Sequence, residues 1–244
     1  MLQRAAQLVG IEPGAQVRIE SNIDMHRGLG SSAALAVATI EAAWRCAGRG
    51  ELADELWLKF ARQVESVVHG RSSGLDPATA MQTGAVFFRD GAVRERFSIA
   101  STPHSRRARW LIVDVGPAPT TASAIDQANR ARQAMSGDEL ATLCHHVNDA
   151  ALRSKEALAS GDLRSLAAAM KTASTCLEAL GVVDERMREV LKIAEKQGAL
   201  AAKQTGAGLG GAMLVLAPSE EIAETISTTL QSRSRANWIL EVTR

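Results

Sequence analysis

Between an alternating apolar–polar segment, Gln16 to Asn22, and an alanine-rich stretch, Ala33 to Ala47, the chain reads Gly28-Leu29-Gly30-Ser31-Ser32-Ala33. A glycine-rich turn at a junction of two-residue and helical periodicity predicts strand, tight turn and helix N-terminus in that order. Glycine lets the backbone turn sharply and bring its N–H groups close to a ligand. The first helical turn adds unpaired N–H donors and the positive end of the helix dipole, so phosphate is the natural guest. Ser31 and Ser32 stay open between two readings, ligand contact and ordinary N-cap. The string also satisfies G-x-G-x-x-A, but a dinucleotide-binding unit needs a second strand after the helix, carrying an acidic residue. Here a second helical pattern follows instead. No Gly-Lys-Ser/Thr follows either, which excludes a Walker A loop.

Around this turn the periodicity gives a coarse map. Residues 1–9 read as a helix ended by Gly10, and Leu52 to Val68 as a helix with Leu56, Phe60, Val64 and Val67 on one face. His69 to Ala80 reads as a polar loop. Ala85–Arg89 and Ala92–Phe97 read as a hairpin closed by Asp90-Gly91. A polar, basic stretch at Ser101–Arg107 suggests a boundary, giving domains 1–104 and 105–244. Beyond it, strands are expected at Trp110–Val115, Gly198–Lys203, Ala212–Ala217 and Trp238–Val242. Helices are expected at Ala122–Met135, Asp138–Ala159, Leu163–Leu180, Asp184–Gln197 and Ser219–Gln231. Four strands interleaved with helices predict an α+β sandwich with helices on one face.

The charge balance narrows the partners. A formal net charge of +1 provides no global field to draw the chain to nucleic acid or membrane, so anion binding must be local. Cys46, Cys144 and Cys176 show no CxxC or metal-ligand spacing and read as reduced thiols. No apolar run approaches the roughly 18 residues of a membrane span, and the N-terminus has no signal-peptide pattern. The expectation is a soluble, cytoplasmic protein.

Two further segments join the first. His69-Gly70-Arg71-Ser72-Ser73-Gly74-Leu75-Asp76 is a glycine-containing loop with one carboxylate. Lys203-Gln204-Thr205-Gly206-Ala207-Gly208-Leu209-Gly210-Gly211 is a second glycine-rich run. Together with Gly28-Leu29-Gly30-Ser31-Ser32-Ala33-Ala34, and in this order, they resemble the three motifs of the GHMP kinases. Leu180-Gly181-Val182 and the helix running to Gly198-Ala199 are more similar to mevalonate kinases than to homoserine or galactose kinases. The likeness covers essentially the whole chain.

The resemblance implies a two-domain α+β fold, with an N-terminal domain like the second domain of ribosomal protein S5 and a ferredoxin-like C-terminal domain. It implies ATP and Mg²⁺, and mevalonate or a similar small alcohol as acceptor, with no nucleic-acid or membrane partner and a homodimer as one allowed assembly. Carried over by motif, Arg27, Gly28, Leu29, Gly30, Ser31, Ser32 and Ala33 would bind ATP phosphates. Ser32 and Glu65 would hold the metal, oxygen ligands suiting that hard cation. Asp76 would be the general base; as a bare residue it also reads as a turn aspartate. Thr205, Gly206, Ala207 and Gly208 would approach the reacting phosphate or brace the first loop, and His69 would orient the substrate or be an ordinary loop histidine.

The sequence departs from the family pattern in three places. Ile23-Asp24-Met25 stands where the family usually has a proline, and Pro77 where mevalonate kinases often have a small polar residue. The family's first motif, a proline-glycine strand with a lysine thought to assist the aspartate, has no counterpart. Its absence leads to the expectation of a fragment, a misassigned start or a degraded paralogue with missing N-terminal strands, low kinase activity and an unpaired strand near Gln16–Asn22. The competing functions are phosphomevalonate kinase or another GHMP small-molecule kinase, and a catalytically impaired nucleotide-binding protein.

Overall fold

The computed structural model describes all residues except 13, 15, 24–27, 71, 235 and 242–244, together with the side chains of 68 and 69. The chain divides into two units, Met1–Met25 with Gly30–Phe97, and His26–Leu29 with Ser98–Arg244.

In the first unit, helix α1 (Leu2–Val9) stops at Gly10, whose φ of 74° is the left-handed C-cap that glycine adopts without penalty. Helices α2 (Ser31–Cys46), α3 (Asp54–His69) and α4 (Leu75–Ala80) follow. On α2 the buried side chains are Ala33, Ala36, Val37 and Ile40, at the i, i+3, i+4, i+7 spacing of one helical face. Small residues there let the neighbouring helices approach. Ala36 and Ile40 pack with Ala5 and Val9 of α1 and Val64 of α3, with Trp44 and Phe60 at the rim. The hairpin β1 (Ala85–Arg89) and β2 (Ala92–Phe97) turns through Asp90 and Gly91 at φ 53° and 74°, the two positive values a tight hairpin turn requires.

Two expectations fail in this unit. Residues 16–22 enter no sheet: no strand pairs with them among the described residues, and Val17 and Ile19 are 52% and 50% exposed. Alternation describes a strand's side chains, but the strand itself exists only through a ladder partner. The expected loop 69–80 contains α4, so Asp76 lies in a helix's first turn. Pro77 is compatible because its missing N–H falls among the donors that a first turn leaves unpaired anyway.

The second unit holds a four-stranded antiparallel sheet in the order β4-β5-β3-β6, from β3 (Arg109–Asp114), β4 (Ala201–Gln204), β5 (Ala212–Ala217) and β6 (Ala236–Glu241). This is the ferredoxin-like order, with β3 and β5 central. After a short helix α5 (Pro103–Arg107), the helices are α6 (Thr121–Ala134), α7 (Gly137–Ser160), α8 (Leu163–Ala179), α9 (Glu185–Lys196) and α10 (Glu220–Leu230). Their starts are set by side-chain caps. Thr120, Ser136, Asp162, Asp184 and Ser219 each accept a backbone N–H from the first turn, and Glu139 closes a capping box back onto Ser136.

Helices cover both faces of this sheet rather than the one face expected. Leu111, Val113, Met213 and Val215 pack against Met187, Val190 and Ala194 of α9 and Ile226 and Leu230 of α10. On the other face Ala201 and Leu216 pack against Ala157 of α7 and Leu166, Ala167 and Met170 of α8. The reason is visible in β5: Ala-Met-Leu-Val-Leu-Ala is apolar throughout, the mark of a strand buried on both sides. β4 begins at Ala201 instead of Gly198, because the Gly198 and Ala199 N–H groups still bond back to Glu195 O and Ala194 O at the α9 terminus.

Candidate active site

The first cluster lies in the first unit, where α2 packs against α3 and α4. Gly30, at φ 72°, is the N-cap of α2, so Ser31 and Ser32 are its first two helical residues and neither is the cap. Both therefore sit in the turn whose N–H groups have no helical partner. On α3, Glu65 is 4% exposed, the most deeply buried carboxylate of this unit's described residues. Its carboxylate accepts from the Ser72 hydroxyl. Ser72 Oγ in turn accepts from the Gly74 N–H at 3.1 Å, and the Ser72 N–H donates to Ser66 Oγ at 3.1 Å. These bonds tie the segment leading to Asp76 onto α3, beside Glu65.

Gly74 caps α4 at φ 91°, and a Cβ there would fall 2.6 Å from Arg62 Cδ, so only glycine fits without displacing that side chain. Asp76 follows two residues later, exposed to solvent in the first turn of α4. It is not the cap itself. Arg27 and the His69 side chain lie outside the described residues.

Among the oxygen donors of this cluster are the hydroxyls of Ser31, Ser32 and Ser72 and the carboxylates of Glu65 and Asp76. Oxygen is the donor type that Mg²⁺ takes, one or two carboxylates sufficing where substrate phosphates and water complete its shell. No group of three or more His, Cys, Asp or Glu residues is gathered for a metal among the described residues.

The second cluster lies in the second unit. The loop from Thr205 to Gly211 joins β4 to β5 and is pinned by backbone bonds. Leu209 N–H donates to Val182 O at 2.8 Å, Gly211 N–H to Gly116 O at 2.7 Å, and Val115 N–H to Gly211 O at 2.9 Å. Thr205 Oγ1 donates to Gly28 O at 2.8 Å. The approach is so close that a Cβ on Gly206 would stand 3.1 Å from Gly28 Cα, and one on Gly28 would stand 3.2 Å from Thr205 O. Gly28, Thr205 and Gly206 are thus brought together, while Ala207 is exposed and Gly208 buried.

Several residues of these clusters carry no role in the sequence reading, although Lys203, Gln204 and Leu209 stand within its third motif. Lys203 donates to Gln204 O at 2.6 Å, and burial of its ammonium pushes its pKa below the ordinary value. Gln204 is 1% exposed, and Leu209 carries a φ of 59°. Arg186 pairs with Asp184 at 2.6 Å and donates to Val115 O at 3.1 Å, against Gly210. The signal for Ser72 was present: a hydroxyl at the end of a helix-to-helix turn, seven residues from Glu65, is placed to bond back.

No helix of the described residues is long and apolar enough to cross a membrane. The family described as GHMP kinases N terminal domain matches residues 1–84, and that described as GHMP kinases C terminal matches residues 154–235. The mevalonate kinase of Thermococcus gammatolerans is 32% identical over 237 residues, 95% of this chain and 67% of the relative. Across the similar archaeal proteins named mevalonate kinase, the chain spans 61% to 70% of the relative's length. Among solved structures, mevalonate kinase from methicillin-resistant Staphylococcus aureus has a TM-score of 0.70 at 26% identity, covering 100% of this chain and 76% of that one. Leishmania major mevalonate kinase in complex with R-mevalonate has a TM-score of 0.76 at 22% identity, covering 98% and 74%, a likeness of fold alone.

Proposed function

The chain belongs to the GHMP kinase superfamily, and on that footing we propose that it takes part in ATP-dependent phosphorylation of a small-molecule hydroxyl, with mevalonate as the acceptor. The observation that carries the reading is the clasp of two glycine-rich segments, Thr205 and Gly206 on Gly28, next to the α2 N-terminus in sequence. Mevalonate is favoured over other alcohols by the name of the 32% identical relative, which aligns along 95% of this chain.

Phosphoryl transfer asks a protein mainly for positioning and charge stabilisation. In this reading Gly28, Leu29, Gly30, Ser31, Ser32 and Ala33 present backbone N–H groups and a hydroxyl to the ATP phosphates, with Arg27 alongside in sequence. The acceptor oxygen forms a bond to the γ-phosphorus as the bond from that phosphorus to the bridging oxygen of ADP breaks. The hydroxyl proton passes to the Asp76 carboxylate. Ser32 and Glu65 would hold Mg²⁺, whose contribution when bound is neutralisation of phosphate charge. Ser72 keeps the Glu65 carboxylate oriented through its hydroxyl. Thr205 to Gly208 approach the reacting phosphate and brace the first loop at Gly28.

The test is ATP consumption by the purified chain against mevalonate, phosphomevalonate and sugars, with the phosphorylated product identified. Phosphate transfer to mevalonate is the expected outcome. Transfer to phosphomevalonate or a sugar alone would reassign the acceptor. ATP binding with no transfer to any of them would replace the kinase reading with a nucleotide-binding one.

A further inference from the structure

Gln204 ends β4 on the sheet face it shares with Ala202, opposite Met213 in the register, where the surrounding core is apolar. It is 1% exposed, and neither its Nε2 nor its Oε1 has a hydrogen-bond partner among the described residues. A buried carboxamide with no partner loses its water bonds without replacement, so it costs stability that a leucine or methionine would not. Such a group calls for an explanation outside the resting core.

Its direction supplies one. A Cβ built on Gly208 would lie 2.4 Å from Gln204 Nε2 and 3.1 Å from its Cδ, so the carboxamide is pressed against the underside of Gly208. The same position would be 2.3 Å from Val182 O, which already accepts the Leu209 N–H at 2.8 Å. Gly206, Gly208 and Gly210 all carry positive φ, and glycine peptides reorient with little steric hindrance. The carboxamide therefore sits within reach of peptide groups that can turn toward it.

We infer that Gln204 is a positioning residue of the β4–β5 glycine loop, whose carboxamide pairs with the Gly206–Gly208 backbone when a phosphate draws the loop N–H groups outward. The inference rests on the reading of that loop as a phosphate site. Turning N–H groups toward an anion turns the attached carbonyls the other way, toward Gln204, whose NH₂ group supplies the donors. The bound arrangement then gains a hydrogen bond that the free one lacks, and a ligand shifts a two-state loop only through such a difference.

The experiment compares the 244-residue chain with Gln204→Leu and Gln204→Met, measuring thermal midpoint, ATP affinity by calorimetry and amide exchange of residues 205–211 with and without ATP. Both variants are expected to keep or raise the midpoint while weakening ATP binding roughly threefold to tenfold, the value of one hydrogen bond. ATP should also protect the loop amides in the wild type and not in the variants. Unchanged affinity and unchanged protection in both variants would overturn the inference alone. A lowered midpoint in both would overturn it too, by making the carboxamide part of the resting core. Failure of the wild type to bind ATP would overturn the phosphate-loop reading, and this inference with it.

Discussion

Thr205 Oγ1 donates to the Gly28 carbonyl at 2.8 Å across 177 positions of sequence, fixing the first residue of one glycine-rich run onto the second. Because Gly28 and Gly206 also meet backbone to backbone, the hydroxyl is the only side-chain group among the bonds described at this contact. Thr205→Val keeps the shape and removes the donor. One such bond is worth about 1 kcal/mol, so ATP affinity should fall by roughly fivefold. Thr205→Ser should restore most of it. Equal affinities for wild type, Val and Ser, measured by calorimetry, would show that the clasp does not bear on the nucleotide.

Asp76 stands exposed at the second residue of α4, with its approach fixed by the Ser72 and Gly74 bonds. A general base contributes ~10²–10⁴-fold to a rate, so Asp76→Asn should lose turnover by that order while ATP affinity stays near wild type. Turnover within about threefold of wild type would remove the carboxylate from the proton transfer.

Ser32→Ala and Glu65→Gln each withdraw an oxygen from the cluster proposed for Mg²⁺, and each should raise the Mg²⁺ concentration at half-maximal rate. Ser72→Ala should act in the same direction and more weakly, because it loosens Glu65 without deleting it. If the Mg²⁺ dependence of all three variants overlays that of wild type, the metal binds elsewhere.

What the sequence disclosed followed from local rules. The Asp90-Gly91 hairpin and the helices expected over 138–159 and 163–180 each rest on adjacent residues, and they form within one residue of those bounds. Residues 16–22 failed because strand formation depends on a distant partner that alternation does not specify. Asp76 on α4 failed because Gly74 and Pro77 read as loop punctuation when they are the cap and an early position of a short helix. At the candidate site, the motif residues were legible but their partners were not. Ser72 on Glu65 is a tertiary pairing, and the burial of Gln204 depends on both the register with Met213 and the covering helices.

Leu209 holds a φ of 59° within a run of glycines, the left-handed region in which a side chain crowds the backbone. The crowding costs ~1–2 kcal/mol, part of which glycine's extra chain entropy cancels. Leu209→Gly should therefore raise the thermal midpoint by about 1–4 °C. Leu209→Val, branched at Cβ, should lower it. A Gly variant less stable than wild type would mean that the Leu209 side chain contributes more through packing than its backbone loses.

Lys203 extends the reasoning to pH. Burial lowers its pKa from the ordinary value of 10.5, and its only hydrogen bond described is to Gln204 O at 2.6 Å. Folding therefore disfavours the charged ammonium. Between the lowered folded value and 10.5, the unfolded chain holds a proton that the folded chain has released, so wild-type stability rises with pH in that interval. Below that interval both states are protonated and the penalty is fully present and constant. Lys203→Met has no proton to release, so its unfolding free energy should lack this rise. The difference in unfolding free energy, variant minus wild type, should be flat below the lowered folded value and fall as pH climbs from there toward 10.5. Denaturant unfolding of the two proteins across that range measures it. A difference that grows with pH would mean that the folded protein holds the Lys203 proton more tightly than the unfolded chain does, and that the Gln204 carbonyl outweighs burial.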